Sequence, residues 1–334
     1  MINKKNNLIL ASIFFMSFNA CKQADKKEVA NSIVQEENLT EVKKAEGTLI
    51  KVGKGPDALF LTPDKQKIYI ANVEDTTISV ISTQTDQVEK TITGVRYPWG
   101  FSRLGTTNEV AVSAYDKQIV VIDFTKDEIV RQKEFKSTIG GIVSSKDGKA
   151  IFVIAIDAKE VLKLSAQSFV VLDTYETGNG PDGIGISANE KNIYVTNTED
   201  GTISVINSKT KKSNLLNTGG KPELVHSNHD RSLLFISNFK ENKIHIIDSD
   251  KGEIINELTG LNGPEEAVPN AAEDKLCVVN FNSEKVFTYK MPDFEKTEEE
   301  YTTGKKPIGV IPTENKLYIT NYGDNSVSII NLKN

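Results

Sequence analysis

Short apolar runs recur at nearly constant spacing from residue 48 to the end of the chain. Each run ends in a small residue and follows a turn containing Pro or Gly by about sixteen positions. A fixed period of this size that holds only strand-like segments predicts a β-propeller with about four strands in each blade. The seven runs, spaced 41 or 42 positions apart, end at Asn72, Ser113, Ala155, Asn197, Asn238, Asn280 and Asn321.

The first repeat shows how each blade is expected to be built. Residues 58–61 form the inner strand a, and Pro63-Asp64 makes the tight turn after it. Strands b (67–71) and c (77–81) are rich in β-branched and aromatic residues, which suit a pleated, half-buried surface. Strand b is apolar almost throughout, as expected when both of its faces pack against neighbouring blades. Strand d covers residues 87–92.

The first and last repeats complete each other. The last repeat offers strands at 309–311, 316–320 and 326–330 but no strand d, whereas residues 48–53 match the other d strands. We predict that this N-terminal segment pairs with the last repeat and closes the ring, because closure removes free sheet edges. The predicted fold is all-β, a single seven-bladed propeller of four-stranded blades over residues 48–334.

The N-terminal segment predicts export and a lipid anchor. Residues 1–20 combine Lys4 and Lys5 with a short apolar stretch, which is typical of a signal peptide and too short to span a bilayer. Cys21 follows a small residue, so we expect cleavage before it and lipidation of its thiol. An ordinary secretory signal with an incidental cysteine is the alternative. Residues 21–47 are polar and predict a flexible tether.

One repeat carries the sequence Tyr194-Val195-Thr196-Asn197 after a Gly-Pro-Asp turn, and the pattern recurs in all seven copies. It resembles the YVTN family of bacterial seven-bladed propellers. The second and third repeats depart from it at Val112-Ser113 and Ile154-Ala155. The layout of lipidation motif, short tether and seven blades is similar to surface lipoproteins that capture cobalamin for a TonB-dependent outer-membrane transporter. That resemblance implies an outer-membrane location. The weakly acidic run Lys22-Gln23-Ala24-Asp25 after the cysteine resembles a surface-export signal, so the cell surface is slightly favoured over the periplasmic face.

The repeat also predicts which side chains surround one mouth of the central channel. In propellers the d–a and b–c loops gather on the same face, and here they carry four acids, an arginine and six aromatic residues. Rigid aromatic side chains with a few polar groups suit a ligand site or a protein hot spot. Alternatively, the acids hydrogen-bond backbone amides of neighbouring loops and the aromatics cover their own blades. The candidates are Asp57, Arg96, Tyr97, Trp99, Tyr115, Asp182, Glu223, Phe239, Glu265, Phe281 and Tyr322.

Other chemistry finds little support in the residues. His226 and His229 have no helical spacing and no following Glu, so we expect no metal there, and no haem-attachment motif or other cofactor signature is present. His245 is interpreted as a surface residue of a c strand, and Cys277 as a buried small hydrophobe of a b strand. The net charge of −6 disfavours nucleic acid as a partner.

The leading hypothesis is a non-enzymatic, lipid-anchored protein that binds a small molecule at this mouth. Cobalamin, a haem-type compound or a siderophore is the expected ligand class, and a TonB-dependent receptor is the expected partner. The first alternative is an interaction scaffold in the cell envelope. The second is an enzyme of the lactonase or quinoprotein type, although three histidines and no evident acid–base pair argue against catalysis.

Overall fold

The computed structural model describes residues 47–332. The predicted signal peptide, the lipidation site at Cys21 and the tether as far as residue 46 lie outside the described residues. Within the described range, no helical segment has the length and apolarity required to cross a bilayer.

The described chain forms seven four-stranded antiparallel sheets arranged as the blades of a propeller. Strand β1 (Thr48–Lys51) precedes blade one and belongs to blade seven. The blades are, in order, β2 (Pro56–Leu61), β3 (Lys67–Asn72), β4 (Thr77–Ser82) and β5 (Gln87–Thr93); β6 (Pro98–Arg103), β7 (Glu109–Ala114), β8 (Gln118–Asp123) and β9 (Glu128–Glu134); β10 (Ile139–Ser144), β11 (Ala150–Ala155), β12 (Glu160–Ser165) and β13 (Val171–Glu176); β14 (Pro181–Ile186), β15 (Asn192–Asn197), β16 (Thr202–Asn207) and β17 (Ser213–Asn217); β18 (Pro222–Ser227), β19 (Leu233–Asn238), β20 (Lys243–Asp248) and β21 (Glu253–Leu258); β22 (Pro264–Pro269), β23 (Lys275–Asn280), β24 (Lys285–Lys290) and β25 (Lys296–Thr302); β26 (Pro307–Pro312), β27 (Lys316–Asn321) and β28 (Ser326–Asn331).

The ring closes as the sequence predicts. Strand β1 pairs antiparallel with β28, from Thr48 opposite Ile329 to Lys51 opposite Ser326. The sheet order of blade seven is therefore β1-β28-β27-β26, with the N-terminal strand outermost. The paired strand is shorter than the predicted segment 48–53, because Val52 and Gly53 already lead into the first turn.

The core lies between blades rather than inside any one of them. Ile68, Tyr69 and Ile70 of strand b are fully buried, which confirms that both faces of this strand are covered. Tyr69 packs in one cluster with Val110 and Val112 of the next blade, whereas Ile68 and Ile70 pack towards the preceding blade. Burying each such side chain contributes about 1.5–3 kcal/mol, so no blade is stable without its neighbours.

A buried asparagine at the end of strand b explains why most apolar runs end in Asn. Nδ2 of Asn197 donates to Thr202 Oγ1 at 3.0 Å and to Ser204 Oγ at 2.9 Å, and its Oδ1 accepts from the Gly178 backbone N–H at 2.9 Å. The side chain thus fastens strand c and the incoming d–a loop to strand b. Blade seven repeats the bonds to strand c, since Asn321 donates to Ser326 and Ser328, but there the Gly304 N–H of the d–a loop donates to Ser328 Oγ instead.

The interpretation of His245 as a surface residue is wrong. It is 1 % exposed because the third residue of strand c points at the buried asparagine, where Ser204 stands in blade four. Its Nε2 lies 3.4 Å from Asn238 Nδ2, and its Nδ1 lies 2.9 Å from Glu257 Oε1. Burial lowers the pKa of His245 despite that carboxylate. The prediction for Cys277 is confirmed: it is buried, and burial raises its pKa to about 12.

Candidate functional site

The seven a strands surround a central channel. Each a strand contacts the a strand of the next blade, and β26 contacts β2, so the inner ring is continuous. The channel holds a cavity of about 360 Å³. Its wall includes residues from all seven a strands, and its acidic members are Asp57, Asp182 and Glu266.

One hydrogen bond, repeated in every blade, fixes the loops around one mouth of this channel. The residue after strand b donates its N–H to a carbonyl at the end of the d–a loop, over 2.8 to 3.2 Å. The d–a and b–c loops therefore share a face, as the sequence predicts. The donors are Val73, Tyr115, Ile156, Thr198, Phe239, Phe281 and Tyr322.

The four predicted acids stand at equivalent positions. Asp57, Asp182, Glu223 and Glu265 are each the second residue of an a strand and follow its initial proline. They come from blades one, four, five and six, and their charges influence one another across the mouth. We call Trp99, Tyr115 and these four acids the mouth cluster.

The structural alternative expected these four carboxylates to accept hydrogen bonds from backbone amides of neighbouring loops, and the described structure contains no such bond. Among the described residues, no backbone N–H donates to the carboxylates of Asp57, Asp182, Glu223 or Glu265. Only Glu223 has a side-chain partner, the ammonium group of Lys221. The fold thus gathers carboxylates that it does not use for its own hydrogen bonding, which is typical of functional sites.

Burial and mutual repulsion change how these groups ionise. Burial, followed by the charges of Glu266, Asp182 and Glu223, raises the pKa of Asp57 well above its usual value. Burial and Glu223 raise the pKa of Asp182 to about 6. The pKa of Glu265 is likewise raised, first by burial and then by Glu223 and Asp57. The mouth therefore favours neutral or positively charged groups and opposes anions.

The raised pKa of Asp182 should make the free energy of unfolding depend on pH. The native state holds the proton of this carboxyl more tightly than the unfolded chain, so the free energy of unfolding falls as the pH rises from about 4 to above 6. We expect Asp182→Asn to be more stable than the wild type at pH 7.5, by about 2 kcal/mol, and nearly equal to it at pH 4. Urea unfolding at the two pH values measures this difference, and an equal effect of the substitution at both would contradict it.

An aromatic pair from blade two completes the mouth cluster. The rings of Trp99 and Tyr115 lie 4.4 Å apart between centroids at an angle of 37°. Trp99 lines the channel cavity. Burial, followed by the charges of Asp182, Asp57 and Glu223, raises the pKa of Tyr115.

The other predicted residues divide between the rim and the blades. Tyr97 is 50 % exposed and has a left-handed backbone (φ of 52°), a conformation that is costly for a bulky side chain. Arg96 forms an ion pair with Asp116 and so does not neutralise the mouth acids. These two side chains lie beside the mouth cluster rather than within the cavity wall.

Two of the three remaining aromatics lie against the turn that begins the next blade, whereas the structural alternative expected them to cover their own blades. A Cβ atom on Gly55 would stand 3.1 Å from the Tyr322 ring, and one on Gly263 would stand 2.9 Å from Phe239. Both glycines have positive φ and begin the next blade. Phe281 packs edge-on against Phe239, with centroids 5.8 Å apart. The structure therefore gives these rings a packing role in the loops.

Sequence reasoning missed an ion pair inside the channel. His226 Nε2 lies 3.1 Å from Glu266 Oε1, and Glu266 Oε2 accepts from the Val310 N–H at 2.9 Å. Burial opposes protonation of His226, but Glu266 outweighs it and raises the pKa. The sequence contained one sign of this pair. Blade six is the one repeat with an acidic residue, Glu266, at the second position after the proline or equivalent turn residue.

The channel is electrically asymmetric. The acids of the channel wall lie near the first residues of the a strands. Arg231 lies in the turn after β18, which is at the opposite end of the channel. His229, in the same turn, donates its backbone N–H to Glu273. Over residues 47–332, no group of three or more His, Cys, Asp or Glu side chains is arranged to hold a metal ion.

A closed ring of seven four-stranded blades around a side-chain-lined channel defines the molecule as a seven-bladed β-propeller. Its sequence matches the family described as YNCE-like beta-propellers over residues 15–318, and the chain belongs to that family. The YVTN-type resemblance is thereby confirmed. No curated protein matches the chain in sequence.

Solved structures with the same fold are distant in sequence. The beta-propeller domain of Cps50 (Swd1) from Myceliophteria thermophila superimposes with a TM-score of 0.73 at 9 % identity, covering 86 % of this chain and 98 % of that one. Hydrazine synthase of Kuenenia stuttgartiensis superimposes with a TM-score of 0.73 at 15 % sequence identity, covering 90 % of this chain and 99 % of that one. A streptogramin B lyase superimposes with a TM-score of 0.71 at 16 % sequence identity, covering 86 % of this chain and 98 % of that one. At such identities the likeness shows the fold alone.

Proposed function

We propose that this protein is a non-enzymatic binding protein that holds a small molecule at the mouth cluster. The observation that carries the proposal is the convergence of four carboxylates, without backbone partners, beside the Trp99–Tyr115 pair. Such an arrangement destabilises the free protein and is offset when a ligand supplies donors or positive charge. The partly exposed His226 and the buried His245 each contact a glutamate rather than a serine or cysteine nucleophile, which supports binding over hydrolysis.

The charge of the mouth discriminates among the three ligand classes. Haem carries two propionates and catecholate siderophores are anionic with iron bound, so both would meet like charges. The corrin of cobalamin carries amide arms, whose N–H groups match carboxylate acceptors, and apolar ring edges that can pack against Trp99. We therefore propose a corrin as the cargo.

The N-terminal sequence supports a proposal for the cellular role. We propose that lipidated Cys21 anchors the protein in the outer membrane, with the propeller at the cell surface, and that the cargo passes to a TonB-dependent transporter. Support comes from the predicted signal peptide over residues 1–20 and the polar tether that follows it.

Substitutions in the mouth cluster test the binding proposal. Trp99→Ala, or Asp182→Ala combined with Glu223→Ala, should weaken cyanocobalamin binding by at least about tenfold, because each removes stacking area or acceptors. Isothermal titration calorimetry on the full-length protein measures the affinity. The control is Leu215→Ala, a 58 % exposed apolar residue of outer strand β17, which should bind like the wild type.

The free energy of unfolding separates the two interpretations of these residues. We expect it to change by less than about 1 kcal/mol in Trp99→Ala and to rise in the double variant, since repulsion is removed. A loss of several kcal/mol with unchanged binding would make these residues part of the blade architecture instead.

A second candidate, an interaction scaffold, is favoured by one observation. Val170, Val171 and Leu172 are 55, 48 and 55 % exposed in succession at the outer edge of blade three. Consecutive exposed apolar residues on an edge strand suit docking of another protein. Crosslinking in whole cells, compared between the wild type and a Val171→Lys variant, tests this candidate.

A further inference from the structure

We propose that the acidic end of the channel cavity binds a small organic cation, a primary ammonium or guanidinium compound, with Asp57 as its counter-ion. The cavity of about 360 Å³ lies near the lower end of the range of small-molecule pockets, roughly 300–1,000 Å³. That volume admits a short aliphatic or aromatic amine but not a macrocycle. The cation site shares Asp57 and Trp99 with the mouth cluster but lies in the enclosed cavity, so it does not require that a corrin binds.

Asp57 is the residue that requires a partner. It is 6 % exposed and lines the cavity, yet its carboxylate accepts no hydrogen bond and forms no ion pair with any residue from 47 to 332. Burying a carboxylate in this way costs several kcal/mol unless a charge or donors compensate it. A bound cation compensates it directly.

The remaining charges in the cavity direct a cation to this end. Asp182 and Glu223 act on Asp57 from blades four and five, and Glu266 acts on it from blade six. Glu266 is already engaged by His226 and by the Val310 N–H, so it adds negative potential without being the free acceptor. The opposite end of the channel is lined by Arg231, whose guanidinium lies 3.8 Å from Glu190, so that end offers a cation no net attraction.

The walls next to Asp57 suit the organic part of such a molecule. Trp99, on the neighbouring a strand, lines the same cavity and presents an indole to a cation, an attraction of about 0.5–2 kcal/mol. Apolar side chains continue the wall away from the acids. Among the described residues, Asp57 and Asp182 are the free carboxylates of the cavity, and such a pair beside an aromatic ring favours an organic cation over a metal ion, which requires more oxygen ligands than these two side chains supply. The apolar members of the wall include Leu59, Phe101, Ile142, Ile184 and Val310.

Three probes of similar shape and different charge test the proposal. We would titrate the full-length protein with 2-phenylethylammonium, 2-phenylethanol and 3-phenylpropionate by isothermal titration calorimetry. The ammonium compound should bind at least about tenfold more tightly than the alcohol, and the carboxylate should bind least. Asp57→Asn, which keeps the shape and removes the charge, should abolish the preference for the ammonium compound.

A matched control removes one negative charge from the same face. Glu199→Gln lies in the exposed b–c turn of blade four and should leave the ammonium affinity unchanged. Equal binding of ammonium and alcohol, no binding of the ammonium probe up to about 10 mM, or an unchanged affinity in Asp57→Asn would each overturn the cation site. A corrin titration of the wild-type protein is compared with the ammonium titration: selective ammonium binding without corrin binding contradicts only the proposed function, and corrin binding without selective ammonium binding contradicts only the cation site.

Discussion

Deletion of residues 48–53 from the full-length chain should open the ring and cost about 4 kcal/mol or more of unfolding free energy. The deletion removes the pairing of β1 with β28 and the packing of Ile50 and Val52 on the seam between blades seven and one. It also exposes the edge of β28, and free edges promote association. Urea unfolding and light scattering measure both consequences.

A deletion of equal length upstream controls for chain shortening. Removing residues 36–41, which precede the described range, should leave stability and monodispersity unchanged. If the deletion of 48–53 were as stable as this control, the N-terminal strand would not be needed for closure.

Asn197→Ala should destabilise the protein by about 3 kcal/mol, because it leaves several buried groups without partners. The substitution orphans the hydroxyls of Thr202 and Ser204 and the N–H of Gly178 at once. Thermal and urea unfolding measure the loss. Asn214→Ala, on the exposed outer strand of the same blade, should change stability by less than about 0.5 kcal/mol.

A small effect of Asn197→Ala on the free energy of unfolding would contradict the role given to the buried asparagine. A loss below about 1 kcal/mol for Asn197→Ala would mean that water or shifted loops satisfy the orphaned groups. The repeated asparagine would then need another explanation than fastening strand c and the d–a loop to strand b.

The fold was predictable because its determinants are local and repeated. The spacing from Asn72 to Asn321 gives the blade count, and the missing strand d of the last repeat gives the closure by residues 48–53. Averaging over seven copies compensates for the weakness of each strand signal. Strand ends differ by one or two residues, as at 56–61 against the predicted 58–61, because hydrogen bonding extends past the apolar run.

The site was predictable only as far as the repeat carries it. Position after the proline placed Asp57, Asp182, Glu223 and Glu265 around one mouth. The pairing of His226 with Glu266 could not be predicted, because it joins different blades and depends on which strand residues face the channel. His245 was misjudged for the same reason, since only the three-dimensional register shows that it points at Asn238.

The acids of the mouth cluster lower the stability of the free protein, although the proposed function requires them. Asp57, Asp182 and Glu265 all carry raised pKa values, so their ionisation weakens the native state at neutral pH. The ring of inter-blade packing tolerates this cost, and a ligand with donors or positive charge would recover it. Neutralising these acids should therefore stabilise the free protein and weaken its complex.

Fluorescence of the single tryptophan tests the central claim most directly, because Trp99 lies in the mouth cluster and is the one Trp in the chain. The full-length protein would be titrated with cyanocobalamin, haemin and a ferric catecholate siderophore, with absorbance corrections from free tryptophan. A saturable change with the corrin, and none with the two anionic compounds, is the result that the account predicts. Silence with the corrin, or saturation by an anionic compound instead, would contradict it.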